Sequence, residues 1–162
     1  MRGERPLRKP HLQRLASELR GSETERAQSA LHDWLARHPD DADANWLAAR
    51  ASIRQDRRHD AASLLARCLD IAPDFTAARF EHAKLLLRLH RYGAALAEAG
   101  RLLAAERDNP LFLQLKAAIL EGIGEEEQAL PIRQHLADEN PGRADCWTRL
   151  GDTLRATGDQ AR

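Results

Sequence analysis

Residues Asn45 to Pro73 read NWLAARASIRQDRRHDAASLLARCLDIAP. In the first part, Trp46, Ala49, Ala51 and Ile53 gather around one side of a helix. In the second, Ala61, Ala62, Leu64, Leu65, Cys68, Leu69 and Ile71 follow the i, i+3, i+4, i+7 spacing of another. Between them Asp56-Arg57-Arg58-His59 is polar, and Asp60 is placed to start the second helix. The stretch therefore predicts an antiparallel helix pair with a short turn, closed by a loop that carries Pro73.

Working outward, the same pattern returns every 34 residues. Pro39 and Pro73 are 34 apart, and Pro141 lies two further periods on, with Arg107 in the slot between. Ala27, Ala61, Ala95 and Ala129 keep the spacing, and so do Ala49, Ala83, Ala117 and Gly151. Small residues in fixed columns have a physical cause: two helices cross most closely there, and only Ala or Gly lets the backbones approach. An interior period of this length marks a stack of identical supersecondary units, each unable to bury its apolar face alone. Turn sites later in the chain are expected at Gly124-Glu125 and Gly158-Asp159, where Gly supplies a left-handed helix end. Asp56 and His90 stand where those glycines would be. Pro131 is expected within the first turn of its helix, where a missing N–H costs little.

Composition agrees with helices and narrows the function. Of 162 residues, 43% are hydrophobic, enough to furnish a core, while only 4% are aromatic and none is Val. A sheet core draws on those residue types, so an all-α chain is expected. Lys+Arg and Asp+Glu both total 25, which argues against a general nucleic-acid or anionic-membrane binder. Arg outnumbers Lys 22 to 3, which we attribute to codon bias. Cys68 and Cys146 make no disulfide framework or metal-ligand spacing and read as semi-buried thiols in a reducing compartment. Met1 to Pro10 is basic, through Arg2, Arg5, Arg8 and Lys9, but no apolar signal core follows and nothing reaches the length of a membrane span. A cytoplasmic protein is the expectation.

These columns resemble the tetratricopeptide repeat, with a small residue at position 8, Ala at 20 and Pro at 32. Trp147-x-x-Leu150-Gly151, and Ala129 followed by Pro141, carry the likeness best. The resemblance implies a right-handed α-solenoid of stacked antiparallel helix pairs, about nine helices in all. Taking Ala42 as a first position divides the chain into a basic, flexible tail over 1–7 and a repeat domain over 8–162. Its units are 8–41 (degenerate, with Leu15 in the small-residue slot), 42–75, 76–109, 110–143 and a partial unit 144–162.

By the same resemblance, the first helices line a groove, and positions 2, 5, 9, 12 and 13 face it. In the 42–75 unit these are Asp43, Trp46, Arg50, Ile53 and Arg54; in the next, Ala77, Phe80, Lys84, Leu87 and Arg88. In the 110–143 unit they are Leu111, Gln114, Ala118, Glu121 and Gly122. The expected binding residues are Trp46, Arg50, Arg54, Phe80, Lys84 and Arg88, the cations taking carboxylates and the aromatics anchoring apolar groups. Arg20 would extend the positive end, and the C-terminal half would be neutral or acidic. The alternative place for Trp46 and Phe80 is inside the helix stack. The Lys and Asn residues by which chaperone-binding relatives clamp a carboxylate are replaced by Trp46, Glu81 and Arg50, so a chaperone-tail receptor is not expected.

Catalytic motifs are missing: no phosphate-cradling glycine loop, no Gly-x-Ser-x-Gly, no His-Glu-x-x-His. His32 and His38 are six apart and share no helix face, and Glu125-Glu126-Glu127 reads as a solvated helix start. No metal and no cofactor is expected. The expected function is therefore a non-catalytic scaffold binding a protein or peptide, acidic ones included, with no nucleic-acid or membrane partner. Two other classes stand beside it. Leu69 to Phe75, Leu113 to Gly124 and Trp147 onward resemble the N-terminal repeats of bacterial tetratricopeptide–sulfotransferase fusions, which makes the chain the front end of a larger enzyme with catalysis elsewhere. Alternatively, Trp147, Leu150 and Leu154 form an apolar strip on the last helix through which two copies dimerise.

Overall fold

The computed structural model describes residues 7, 9–19 and 24–160, without the side chains of Thr24, Asp159 and Gln160. The expected basic tail over 1–7, with Arg2 and Arg5, lies outside the described residues apart from Leu7, and so do Arg8 and the expected groove residue Arg20. Leu7 is not free in solution: it packs against the first hydrophobic cluster.

Among the described residues the chain is all-α, with nine helices: α1 Pro10–Glu18, α2 Thr24–Arg37, α3 Ala42–Arg54, α4 Arg58–Ile71, α5 Thr76–Arg88, α6 Tyr92–Ala105, α7 Pro110–Gly122, α8 Glu126–Glu139 and α9 Ala144–Gln160. The starts of α3, α5, α7 and α9 are 34 apart, and so are those of α2, α4, α6 and α8. Helix α4 begins at Arg58, so Asp60 sits in its first turn rather than at its start, where its carboxylate still complements the helix dipole.

The turns repeat atom for atom. Asp56 and His90 adopt φ 55° and Gly124 φ 83°, the left-handed conformation that ends a helix, again 34 apart. Beside them, the amides of Arg57, Arg91 and Glu125 each donate to the carbonyl five residues back, that of Ser52, Leu86 and Leu120, at 2.9 Å. Each bond adds a second donor to a carbonyl near a helix end that already accepts from Gln55, Leu89 or Ile123. The loops between pairs repeat as well: Phe75 donates to Ala72, Asn109 to Glu106 and Arg143 to Asn140. Ala72 at φ −131°, ψ 81° and Asn140 at φ −133°, ψ 61° both lie outside the α region, which a following proline disfavours. Glu106 takes φ −137° with Arg107 following, so the loop holds this shape without its proline.

The fold contains two compact units, Met1–Leu85 and Leu86–Arg162. In the first, Leu12, Leu15, Leu19, Ala27, Leu31, Ala44, Leu47 and Ala51 form a common core. Leu15, in the slot filled elsewhere by Ala, is buried there: the first pair packs around a larger side chain. In the second unit, Ala117, Leu120 and Ala129 form one cluster with Leu96 and Ile132 against it, and Ala137, Cys146 and Leu150 form another. The crossing residues Ala49, Ala61, Ala83, Ala95, Ala117 and Ala129 have no exposed surface, as close helix approach requires.

Two expectations are corrected. Pro131 is the sixth residue of α8, in its second turn, so the carbonyl of Glu127 loses its i+4 donor. The helix starts at Glu126, earlier than the apolar pattern alone suggests, because the turn at Gly124 sets its first residue. Gly158-Asp159 makes no turn: α9 runs through both to Gln160. A turn of this kind forms when a second helix folds back on the first, and no such helix exists among the described residues.

Candidate functional site

The first unit brings most of the expected binding residues onto the adjoining helices α3 and α5. Trp46 lies in the first half of α3 and is only 2% exposed; its ring packs against Phe75 at a centroid distance of 5.2 Å, tilted by 49°. Of the two places open to this tryptophan, the structure gives the interior. Its polar edge is not left dry: Nε1 donates to Glu81 Oε2 at 3.0 Å, as a buried indole N–H requires. Arg50, one turn on, spreads over the Trp46 ring at 4.9 Å from the centroid, and its Nε lies 3.7 Å from Glu81 Oε1. A buried indole, a guanidinium and a carboxylate thus form one cluster across two helices.

Phe80 and Lys84 sit one turn apart on α5. Phe80 is half-buried, and Lys84 holds its Nζ 5.4 Å from the centre of the phenyl ring. Arg54 is exposed near the end of α3. Arg88 is exposed one turn beyond Lys84 and belongs to the second unit. Of the remaining expected positions, Asp43 is buried, whereas Ile53 and Ala77 are half-buried.

Sequence reasoning missed Glu81. Its slot is noted there only as a departure from a chaperone clamp, yet its carboxylate links α5 to α3. The signal was faint: a carboxylate at position 6, whose partner on the preceding first helix is 35 residues away.

Within the second unit, the positions expected to extend the surface behave differently. Leu111 is half-exposed, and Gln114 and Ala118 are partly covered. Glu121 is partly buried and already paired: Arg133 Nε and Nη2 donate to its two oxygens at 2.7 Å, and the Thr153 hydroxyl donates to Oε1 at 2.8 Å. Burial by itself would raise this carboxyl, but the Arg133 fork and the Thr153 hydroxyl outweigh it and hold it below the ordinary range. At Gly122 a Cβ would stand 2.7 Å from Cε1 of Tyr92, so a side chain there requires that ring to shift. The one carboxylate among the positions expected to make this stretch neutral or acidic is therefore already paired.

The C-terminal strip also divides. Leu150 is 5% exposed and packs with Cys146 and Ala137, whereas Trp147 and Leu154 remain 44% and 49% exposed. The three do not form one continuous exposed face. Among the described residues no group of three or more His, Cys, Asp or Glu side chains is placed to hold a metal ion, and no helix is long and apolar enough to cross a membrane.

A tetratricopeptide repeat family model matches residues 52–119, from the end of α3 into α7. Residues 52–119 are tetratricopeptide repeat. The turns and crossing residues described above extend the same repeat geometry to the helices on either side. No curated protein matches the chain in sequence. Among solved structures, MamA from Desulfovibrio magneticus RS-1 is 19% identical, with a TM-score of 0.81 over 92% of this chain and 85% of that one. A tetratricopeptide repeat protein from Parabacteroides merdae is 16% identical, with a TM-score of 0.78 over 98% of this chain and 63% of that one. At such identities the likeness concerns the fold, an all-α stack of tetratricopeptide-type helix pairs.

Proposed function

We propose that this tetratricopeptide repeat chain is a non-catalytic protein-interaction module that takes an acidic peptide on the α3–α5 face of its first unit. The repeat fold supports the coarse part of this reading, because helix-pair stacks present extended surfaces on which partners dock. The finer part is carried by one observation. Arg50 and the exposed Arg54 lie on α3 and Lys84 on the adjoining α5, with Arg50 against Glu81 and Lys84 against the half-buried Phe80. Cations beside a partly covered aromatic ring suit an acidic segment with an apolar residue among its carboxylates. Arg88, one helical turn further along α5, adds positive charge on that helix.

Two buried free thiols, Cys68 and Cys146, fit a reducing compartment, in keeping with a cytoplasmic protein.

The test is selection from a random peptide library on the full chain, followed by binding measurements on Arg54→Glu/Lys84→Glu. Acidic peptides should be enriched, and the double substitution should weaken them by at least about tenfold. Enrichment of neutral or basic peptides, or acidic peptides indifferent to the double substitution, defeats this reading.

A further inference from the structure

The indole N–H of Trp46 and the guanidinium of Arg50 converge on one carboxylate, at 3.0 Å and 3.7 Å. Together they make a seat for that chemical group. The indole fixes one oxygen by a hydrogen bond, the guanidinium supplies the charge, and the Trp46 ring under Arg50 holds the guanidinium in position. In this chain the seat is filled from within, by Glu81.

The three side chains differ in freedom. Trp46 is wedged in the core against Phe75 and stays where it is. Arg50 lies across its ring with 35% of its side chain exposed. Glu81 comes from a different helix, and 27% of its side chain is exposed, so a change of rotamer carries its carboxylate into water while the helices stay put. Water solvates the carboxylate that leaves, and an incoming carboxylate takes up the indole donor and the guanidinium charge it abandoned. The exchange is nearly balanced in bonds and is decided by what else the newcomer brings.

We propose that Glu81 is an internal competitor, occupying in the unliganded chain the seat that an acidic side chain of a bound peptide takes over. This rests on the reading of the α3–α5 face given above and assigns to Glu81 the regulation of that face. While Glu81 is seated, the intrinsic affinity is reduced by the fraction of molecules in which the seat is open. A peptide with a carboxylate and an apolar residue for Phe80 displaces it. A neutral peptide of the same shape has nothing to exchange for the lost ion pair, so the competitor sharpens selection for acidic sequences.

The experiment compares the full chain with Glu81→Gln, using a fluorescently labelled acidic peptide selected from a random library on the variant, and its Glu→Gln counterpart. Gln retains a carbonyl oxygen for Trp46 Nε1, and near-UV circular dichroism checks that the indole environment persists; Glu81→Ala serves as the second variant. The acidic peptide should bind Glu81→Gln about tenfold more tightly than the native chain. The counterpart should show no such gain, and adding Arg50→Met to Glu81→Gln should remove it. Equal affinity of the acidic peptide for native and Glu81→Gln chains, with Lys84→Glu still abolishing binding, overturns the competitor and leaves the surface standing. Failure of both chains to retain any acidic peptide overturns both. Displacement of the peptide by millimolar inorganic phosphate overturns the assignment of the seat to a peptide carboxylate.

Discussion

Arg133 lays its guanidinium fork on the Glu121 carboxylate, Nε to Oε1 and Nη2 to Oε2, both at 2.7 Å, with only 3% of the Arg133 side chain exposed. The corresponding positions 34 and 68 residues earlier are Ala99 and Leu65, both fully buried and apolar. Thr153 joins the pair from α9, where Ile119 and Leu85 fill the equivalent places one and two periods back. One polar network thus replaces an apolar layer where α7, α8 and α9 meet.

Breaking this pair should cost more than replacing it. Arg133→Met leaves Glu121 partly buried without its counter-charge and should destabilise the protein by about 3 kcal/mol, the lower end for buried pairs because Glu121 keeps some water. The triple change Arg133→Leu/Glu121→Leu/Thr153→Val should come within about 1 kcal/mol of the native chain. Urea unfolding of the two variants checks both numbers, and a triple variant as unstable as Arg133→Met would contradict the argument.

Acid should loosen the protein through two carboxyls. Burial opposes ionisation of both Glu121 and Asp41. Arg133 and Thr153 outweigh it at Glu121; at Asp41 the outweighing groups are Lys9, Trp34 and the Ala44 amide. Both carboxyls are therefore held below their ordinary values of 4.5 and 3.8. A carboxyl lowered in the folded state contributes stability that is fully present above its unfolded value and is lost as pH falls through the folded one. Thermal midpoints should hold above about pH 5 and decline below the ordinary carboxylate range. Glu121→Gln and Asp41→Asn should each be less stable than the native chain at neutral pH and flatten the acid limb.

Arg107→Pro should stabilise. Glu106 before it, at φ −137°, ψ 85°, already lies outside the α region that a following proline disfavours, close to Ala72 and Asn140, which do precede prolines. The change removes freedom from the unfolded chain at no cost in the loop, a gain of about 0.4–1 kcal/mol. A lower melting temperature would mean that the loop at 106–109 is not equivalent to its two proline-bearing counterparts.

Asp56→Gly should also stabilise. Asp56 holds φ 55°, where a side chain costs about 1 kcal/mol and glycine nothing. Part of that gain is offset by the lost ion pair with Arg58, which is exposed and weak. Gly124→Ala, at φ 83°, should move stability the other way by a similar amount. Calorimetry on the two variants, with opposite signs expected, is the check.

How far these features were legible varies by kind. Helix type, the 34-residue repeat and the left-handed turn at Gly124 were readable along the chain, because a helix crossing needs Ala or Gly and a tight turn needs a left-handed residue, whereas Asp56 and His90 stood out only as departures from glycine. Trp46 was ambiguous, since an aromatic on an amphipathic helix suits a core or a groove equally. Pro131 and Gly158 misled: a proline or glycine marks where a helix can bend or end, and only packing against a neighbour decides whether it does.

The sequence by itself determined the class of structure and the spacing of its parts, since apolar periodicity, small crossing residues and turn residues act over a few positions and repeat in every unit. Only the tertiary structure decided how the charges are spent. Glu81 meets Trp46 and Arg50, and Glu121 meets Arg133 and Thr153, across gaps of 35, 31, 12 and 32 residues. Attraction between such groups depends on the separation and burial that helix packing sets, and neither quantity is carried by the local pattern of residues.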